Sequence, residues 1–215
     1  MKERPDRRYT SDELLTGVSS IHSSIPSEGR SAEEYLRQLS IGREDLENKH
    51  VLELGAGAEL NFARDIAKLG IKADVVSFSP AFLNAKLWKE YWRAVDSEKA
   101  SERVVTGMAE HLPFADNSFD TVVMFYVNFY INSDQRMDDC LSEITRVLKP
   151  GGRAFIGPLL SPSKDEAGID RNKRWFDESK VKNSLGDKAS ALWEEAPNTP
   201  SGAEARTLKL VKNES

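Results

Sequence analysis

The sequence predicts an α/β fold of three layers, with a seven-stranded, mostly parallel sheet whose last strand runs antiparallel. Three observations carry this. Short apolar runs alternate with segments of helical period, the pattern of a parallel sheet covered on both faces. One segment, "FDTVVMFY", holds a continuous apolar run, as in a parallel strand buried on both sides. Seven strand-like segments can be counted, and the final two lie close enough for an antiparallel return.

The elements follow in order. Residues 1–45 read as a polar N-terminal extension, a candidate lid, and 46–215 as the main domain. "TSDE" (Thr10 to Glu13) and "SAEE" (Ser31 to Glu34) have capping-box form, and the second opens a helix to about Ser40. "HVLELG" is the first strand. A helix from about Ala58 to Leu69 stops at Gly70, a good residue just past a helix end. "KADVVSF" is the second strand. Ser79 and Pro80 then cap a long helix on which Leu87, Trp88, Tyr91, Trp92 and Val95 form a core-facing stripe. "RVVTG" is a short third strand and "FDTVVMFY" the fourth.

From Ser133 to Leu148 a helix presents Met137, Leu141, Ile144 and Leu148 on one face, with Cys140 beside it as a small buried hydrophobe. "KPGG" is a turn and "RAFIGP" the fifth strand. Residues 159–176 are polar and irregular, and a second candidate lid. A helix near 177–185, a weak strand at "SALWEE" and a last strand at "RTLKLVK" complete the chain.

Composition narrows the function. The 215 residues carry a net charge of −5 and 39% hydrophobic residues. The pI is near 5.4 and the mean hydropathy −0.52. This suits a cytoplasmic enzyme and argues against nucleic acid, which favours a basic surface. The start, "MKERPDRRYT", lacks an apolar core of a secretory signal. The run "TVVMFYVNFYI" is too short to span a bilayer. A single cysteine excludes an intrachain disulfide, and His22, His50 and His111 are too scattered to form a metal site with Cys140.

The strongest local signal is Glu53-Leu54-Gly55-Ala56-Gly57, at the carboxyl end of strand one, where open parallel sheets bind ligands. A nicotinamide site wants a third glycine at position 60, where Leu60 stands, and an acid or a phosphate-binding arginine closing strand two. "VVSFSP" offers neither. A P-loop is excluded because no Gly-Lys-Ser/Thr follows the glycines.

An ordered series of segments resembles the class I S-adenosylmethionine-dependent methyltransferases: "VLELGAG", "VVSFSP", "VVTGMAEHLPFADNSFDTVV" and "EITRVLKPGG". The resemblance spans roughly Lys49 to Pro158, and "LPFADNSFD" and "LKPGG" are its most specific parts. It implies a Rossmann-like methyltransferase fold and S-adenosylmethionine as cofactor. By the same resemblance Glu53 and the Gly55, Ala56 and Gly57 backbone meet the methionine moiety. Ser77 faces the ribose and Phe78 the adenine, Met108 and Ala109 border the adenine, and Phe125 lies near the methyl group.

Two positions depart from the family pattern: Ser77 stands where an acid is usual, and Met108 where an Asp is usual. Exchanging a charged hydrogen-bonding group for a hydroxyl weakens affinity by roughly 10- to 100-fold. On this count Ser77→Asp is expected to tighten cofactor binding. Asp74 is no substitute, since three residues along a strand place it roughly 10 Å back and on the opposite face.

Tyr126, Asn128, Phe129 and Tyr130 follow strand four and are candidates to line an acceptor pocket, although the same residue types suit core packing. There is no Asn-Pro-Pro-Tyr/Phe segment and no Pro-Cys nucleophile, which leaves a small-molecule acceptor as the expectation. The alternative is a methyltransferase-fold protein with weak or absent cofactor binding, acting as a binding or regulatory module. The acceptor, the catalytic base and the oligomeric state are not legible.

Overall fold

The structure is a computed structural model that describes residues 30–56, 60–80, 103–131, 133–160, 173–197 and 204–214. Helix α1 (Ala32–Gln38) begins as its sequence dictates: Ser31 is the N-cap, and its hydroxyl accepts the Glu34 N–H. Strand β1 (Lys49–Leu54), helix α2 (Asn61–Lys68) and strand β2 (Ala73–Phe78) follow. Then come β3 (Arg103–Val105), β4 (Phe119–Phe125), α3 (Asp134–Val147) and β5 (Leu148–Leu160). The chain closes with α4 (Lys173–Phe176), α5 (Glu178–Leu185), β6 (Ala189–Glu195) and β7 (Ala205–Lys212).

The strand order is β3-β2-β1-β4-β5-β7-β6. Strands β1 to β5 pair in parallel, and β7 alone is reversed, inserted antiparallel between β5 and β6. This is the expected seven-stranded, Rossmann-like α/β architecture. The order reverses between β1 and β4, so this is the switch point where such sheets leave a crevice at their carboxyl edge.

Period-two alternation divides the core into two. Leu52, Leu54, Val76, Phe78, Val122 and Met124 face a cluster filled by α3, Trp175 and α5. Val51, Val123, Phe125 and Phe155 face the other, filled by Tyr35 and Leu39 from α1 and its end, and Phe62 and Ile66 from α2. Each such apolar side chain, fully buried, contributes about 1.5–3 kcal/mol. The α1 segment, at the inner end of the predicted extension, is thus seated in the core. Cys140 is fully buried as read, and burial pushes its thiol pKa well up.

Two element boundaries differ from the sequence reading. The described part of the second helix starts at Asn61, preceded by Leu60 in the left-handed region at φ 50°. That conformation costs a non-glycine residue about 1–2 kcal/mol. Leu60 is fully buried, and its burial offsets the cost. "KPGG" is not a break before the fifth strand. It is an excursion within β5, where the register steps from Phe119↔Leu148 to Thr121↔Arg153. Gly151 there has φ +72°, and a Cβ on Gly152 would lie 2.8 Å from the Lys149 carbonyl. The aromatic stripe from Leu87 to Val95 and the "TSDE" cap lie outside the described residues.

The two most family-specific segments meet in space. Arg146 of α3 donates to Glu143 at 2.8 Å through both Nε and Nη2. The same guanidinium donates to the carbonyls of Leu112 and Phe114 at 2.9 and 2.7 Å and to Asp116 at 2.8 Å. Glu143 in turn accepts the Leu112 N–H at 2.8 Å. Lys149 clasps both oxygens of Asp120, which also accepts the His50 N–H. Partial burial opposes ionisation of Asp120, but Lys149 and the His50 N–H outweigh it and lower the carboxyl pKa.

Candidate functional site

The tips of β1 and β2 are in register, with Glu53 opposite Ser77. Alternation puts both side chains on the α1–α2 face of the sheet. Glu53 is buried, at 1% exposure. Its Oε1 accepts the Tyr35 hydroxyl at 3.1 Å and its Oε2 the Ser77 hydroxyl at 3.0 Å. A carboxylate offers about four acceptor positions, and donors on both oxygens fix its plane. Burial, and then the Glu53 charge, push the Tyr35 phenol pKa well up, so it stays protonated and donates. Its ring is wedged between Phe62 and Phe125, with centroids 4.8 and 4.3 Å away.

The glycine turn is built as much against the protein as toward a ligand. Gly55 has φ +83°, a conformation that favours glycine. A Cβ there would come within 2.0 Å of Val127 Cγ2, so the tips of β1 and β4 touch at the switch point. The N–H groups of Gly55 and Ala56 both donate to the Phe78 carbonyl, at 2.7 and 3.3 Å. Gly57 lies outside the described residues.

The predicted site residues divide by face. Ser77 shares the Glu53 face, and its hydroxyl is committed to Glu53. Phe78 points the other way, buried at 1% exposure, its ring 5.9 Å from that of Phe114 and close beneath Gly107. Met108 and Ala109 are half-buried in the turn after β3, where the His111 N–H returns to the Met108 carbonyl at 2.9 Å. Ser79 ties the tips of β2 and β3: its N–H reaches Val105 O at 3.2 Å, and its carbonyl accepts Thr106 Oγ1 at 3.1 Å. Asp74 sits at the opposite end of β2, paired with Arg103 and His50, and is remote from Ser77 as expected.

At the tip of β4, Phe125 stacks on Tyr35 and Tyr126. Tyr126 adopts φ 61°, rare for a bulky residue and a form of strain that clusters at functional sites. The Arg30 guanidinium lies 3.8 Å above its ring centroid, a cation–π contact. Half-burial raises the Tyr126 phenol pKa against the pull of Arg30. Asn128 is fully buried, and its amide donates to Pro158 O at 3.4 Å, tying the turn Val127–Tyr130 to β5.

Tyr35 and Arg30 were not singled out by sequence. Neither sits in a recognisable pattern, and a tyrosine on an amphipathic helix reads as core. Among the described residues no His, Cys, Asp and Glu group could hold a metal, and no helix is long and apolar enough to cross a membrane.

The residues fit the adenosyl cofactor implied by the resemblance. A buried carboxylate, a positive-φ glycine turn and two further strand tips share one edge at the switch point.

Comparison with known proteins agrees. Residues 52–156, about half of the chain, match a family described as "Methyltransferase domain". The chain is 31% identical over 137 residues to sterol 4-C-methyltransferase strm-1 of Caenorhabditis elegans, covering 62% of this chain and 39% of that protein. It is 32% identical over 125 residues to demethylmenaquinone methyltransferase of Thermobifida fusca, covering 58% and 50%. The chain thus spans about half or less of these relatives' length.

Among solved structures, the 1,6-didemethyltoxoflavin-N1-methyltransferase of Burkholderia thailandensis, with 1,6-didemethyltoxoflavin and S-adenosylhomocysteine bound, superposes with a TM-score of 0.60 at 17% identity. That alignment covers 97% of this chain and 92% of that one. The N-methyltransferase NodS of Bradyrhizobium japonicum, in complex with S-adenosylhomocysteine, gives 0.54 at 16%, covering 85% and 86%. The matched segment begins within β1 and ends within β5, so it holds the Glu53 carboxylate, the β2 tip, the turn after β3 and the β4 tip. By sequence and fold, the chain belongs to the class I S-adenosylmethionine-dependent methyltransferase family.

Proposed function

We propose that the chain transfers a methyl group from S-adenosylmethionine to a small organic acceptor. The observation that carries this reading is the buried, doubly hydrogen-bonded Glu53 beside the Gly55 turn at the β1–β4 switch point. The cofactor supplies a methyl group already activated on a sulfonium, so the protein's task is mainly to bind and align. Glu53 receives the amino group of the methionine moiety, and Gly55 and Ala56 pass beneath that moiety. Ser77 and the β2 tip border the ribose, with Phe78, Met108 and Ala109 on the adenine side. Phe125 and Tyr126 close the methyl end, and Asn128 holds the turn on the acceptor side. Tyr126 holds its phenol proton at neutral pH, as any tyrosine does, and burial only strengthens that hold, so it is no base there.

A small acceptor is supported by the acidic balance and by the relatives' names, which specify a sterol and a demethylmenaquinone. Residues 46–215 are the methyltransferase domain in this reading, and 1–45 an N-terminal extension whose helix α1 carries Tyr35. Calorimetry tests it directly: S-adenosylhomocysteine is expected to bind with a micromolar constant. Label transfer from methyl-tritiated S-adenosylmethionine to a panel of sterols, quinols and heteroaromatic amines then identifies the acceptor class. Absence of heat at millimolar ligand rejects the enzyme reading and supports a methyltransferase-fold binding module. The commitment of the Ser77 hydroxyl to Glu53 is the observation that favours that second reading.

A further inference from the structure

We propose that Tyr35 is a positioning residue for cofactor recognition: its hydroxyl sets the Glu53 carboxylate in the orientation that receives the cofactor's amino group. The proposal rests on the methyltransferase reading above. Tyr35 lies outside the matched residues 52–156, so the family pattern does not include it. Helix α1 delivers it, Phe62 of α2 and Phe125 of β4 hold its ring, and the only polar atom of its side chain ends 3.1 Å from Glu53 Oε1.

A phenylalanine would fill the same aromatic slot. What the hydroxyl adds is a single directed bond to a buried carboxylate. Ser77 makes the matching bond to the other oxygen from β2. The two donors come from different elements and oppose rotation of the carboxylate about its last bond, which leaves one orientation at the switch point. A preset acceptor costs less to order when ligand arrives, and this is where Tyr35 raises affinity.

The test is a double-mutant cycle read by calorimetry with S-adenosylhomocysteine, alongside thermal unfolding. Wild type binds. Tyr35→Phe is expected to bind about 5- to 20-fold more weakly, the share of a charge-assisted hydrogen bond that orientation carries. Its Tm is expected to fall only modestly: the ring keeps its packing, while Glu53 loses one donor. Glu53→Gln weakens binding more, and Tyr35→Phe added to Glu53→Gln has no further effect. Binding by Tyr35→Phe within twofold of wild type overturns the proposal, as do fully additive losses, which would make Tyr35 a packing residue.

Failure of wild type to bind would instead sink the methyltransferase reading and this proposal with it. 3-Fluorotyrosine at position 35 gives a second arm that does not depend on the folding of Tyr35→Phe. Its fluorine resonance is expected to shift during the titration with the calorimetric affinity, and an unmoved line overturns the proposal.

Discussion

Ser77 donates its hydroxyl proton to Glu53 across the tips of two neighbouring parallel strands, at 3.0 Å. At 77, where an acid is usual in the family, a hydroxyl here serves the acid at 53 as a donor. An aspartate at 77 would set two carboxylates against each other in a buried place, where one of them must take up a proton. Considered from the sequence, Ser77→Asp is a simple gain for a ribose. In the structure it also removes a donor from Glu53. We expect Ser77→Asp to lower unfolding stability by about 1–3 kcal/mol at pH 7. The deficit should shrink as pH falls toward 4. Urea denaturation at several pH values checks this, and equal stability at pH 7 would show that the two side chains do not share the space.

The Tyr35 phenol predicts an alkaline effect. Its folded pKa is raised well above the ordinary value by burial first and Glu53 second. Below the unfolded pKa of about 10, both states hold the proton and stability is unaffected. Above it the unfolded chain loses the proton while the folded chain keeps it, so stability falls as pH rises. Wild type is expected to lose stability more steeply than Tyr35→Phe between about pH 10 and 11.5, measured by denaturant midpoints on both proteins.

Arg146 anchors the loop before β4. Glu143 is 5% exposed as a side chain and Arg146 23%. Removing the guanidinium strands a buried carboxylate, which we expect to cost about 2–4 kcal/mol in Arg146→Met. Arg146→Lys should recover only part, because one ammonium cannot reproduce the planar fork that meets Glu143, Leu112, Phe114 and Asp116. Full recovery by lysine would show that charge alone matters.

Gly55 and Val127 predict a partial rescue. Gly55→Ala meets Val127 Cγ2 at 2.0 Å and also forces an L-residue to φ +83°. We expect a loss above about 2 kcal/mol, combining overpacking with backbone strain. In Gly55→Ala with Val127→Ala, the steric part should return and about 1 kcal/mol of backbone strain should remain. Additive losses would place the methyl groups of Val127 elsewhere.

Much of the scaffold was legible because its signals are local. Ser31 and Ser133 cap the helices they precede, and the apolar-rich segment 51–54 and the apolar run 122–125 are strands. What was not legible depends on distant partners. The left-handed Leu60 is tolerated only because it is buried, and no propensity predicts that. Trp175 ends a polar stretch and yet is fully buried, since α4 docks on α3 and β5, both distant in sequence. The Glu53 site was placed at the right strand tip by its spacing, but its two donors come from 18 residues before and 24 after. Only the register of β1 with β2 and the seating of α1 bring them together.

The position of β7 has a consequence for biosynthesis. Lying between β5 and β6, it supplies a full edge to each, and Lys212 at its end holds the Leu148 carbonyl at 2.7 Å. During translation the earlier strands emerge with β5 paired to β4 on one edge and open on the other, and with β6 lacking a neighbour. The sheet can close only when residues 205–212 have cleared the ribosome tunnel, so a nascent chain halted before them would present unpaired backbone edges on β5 and β6 to other chains.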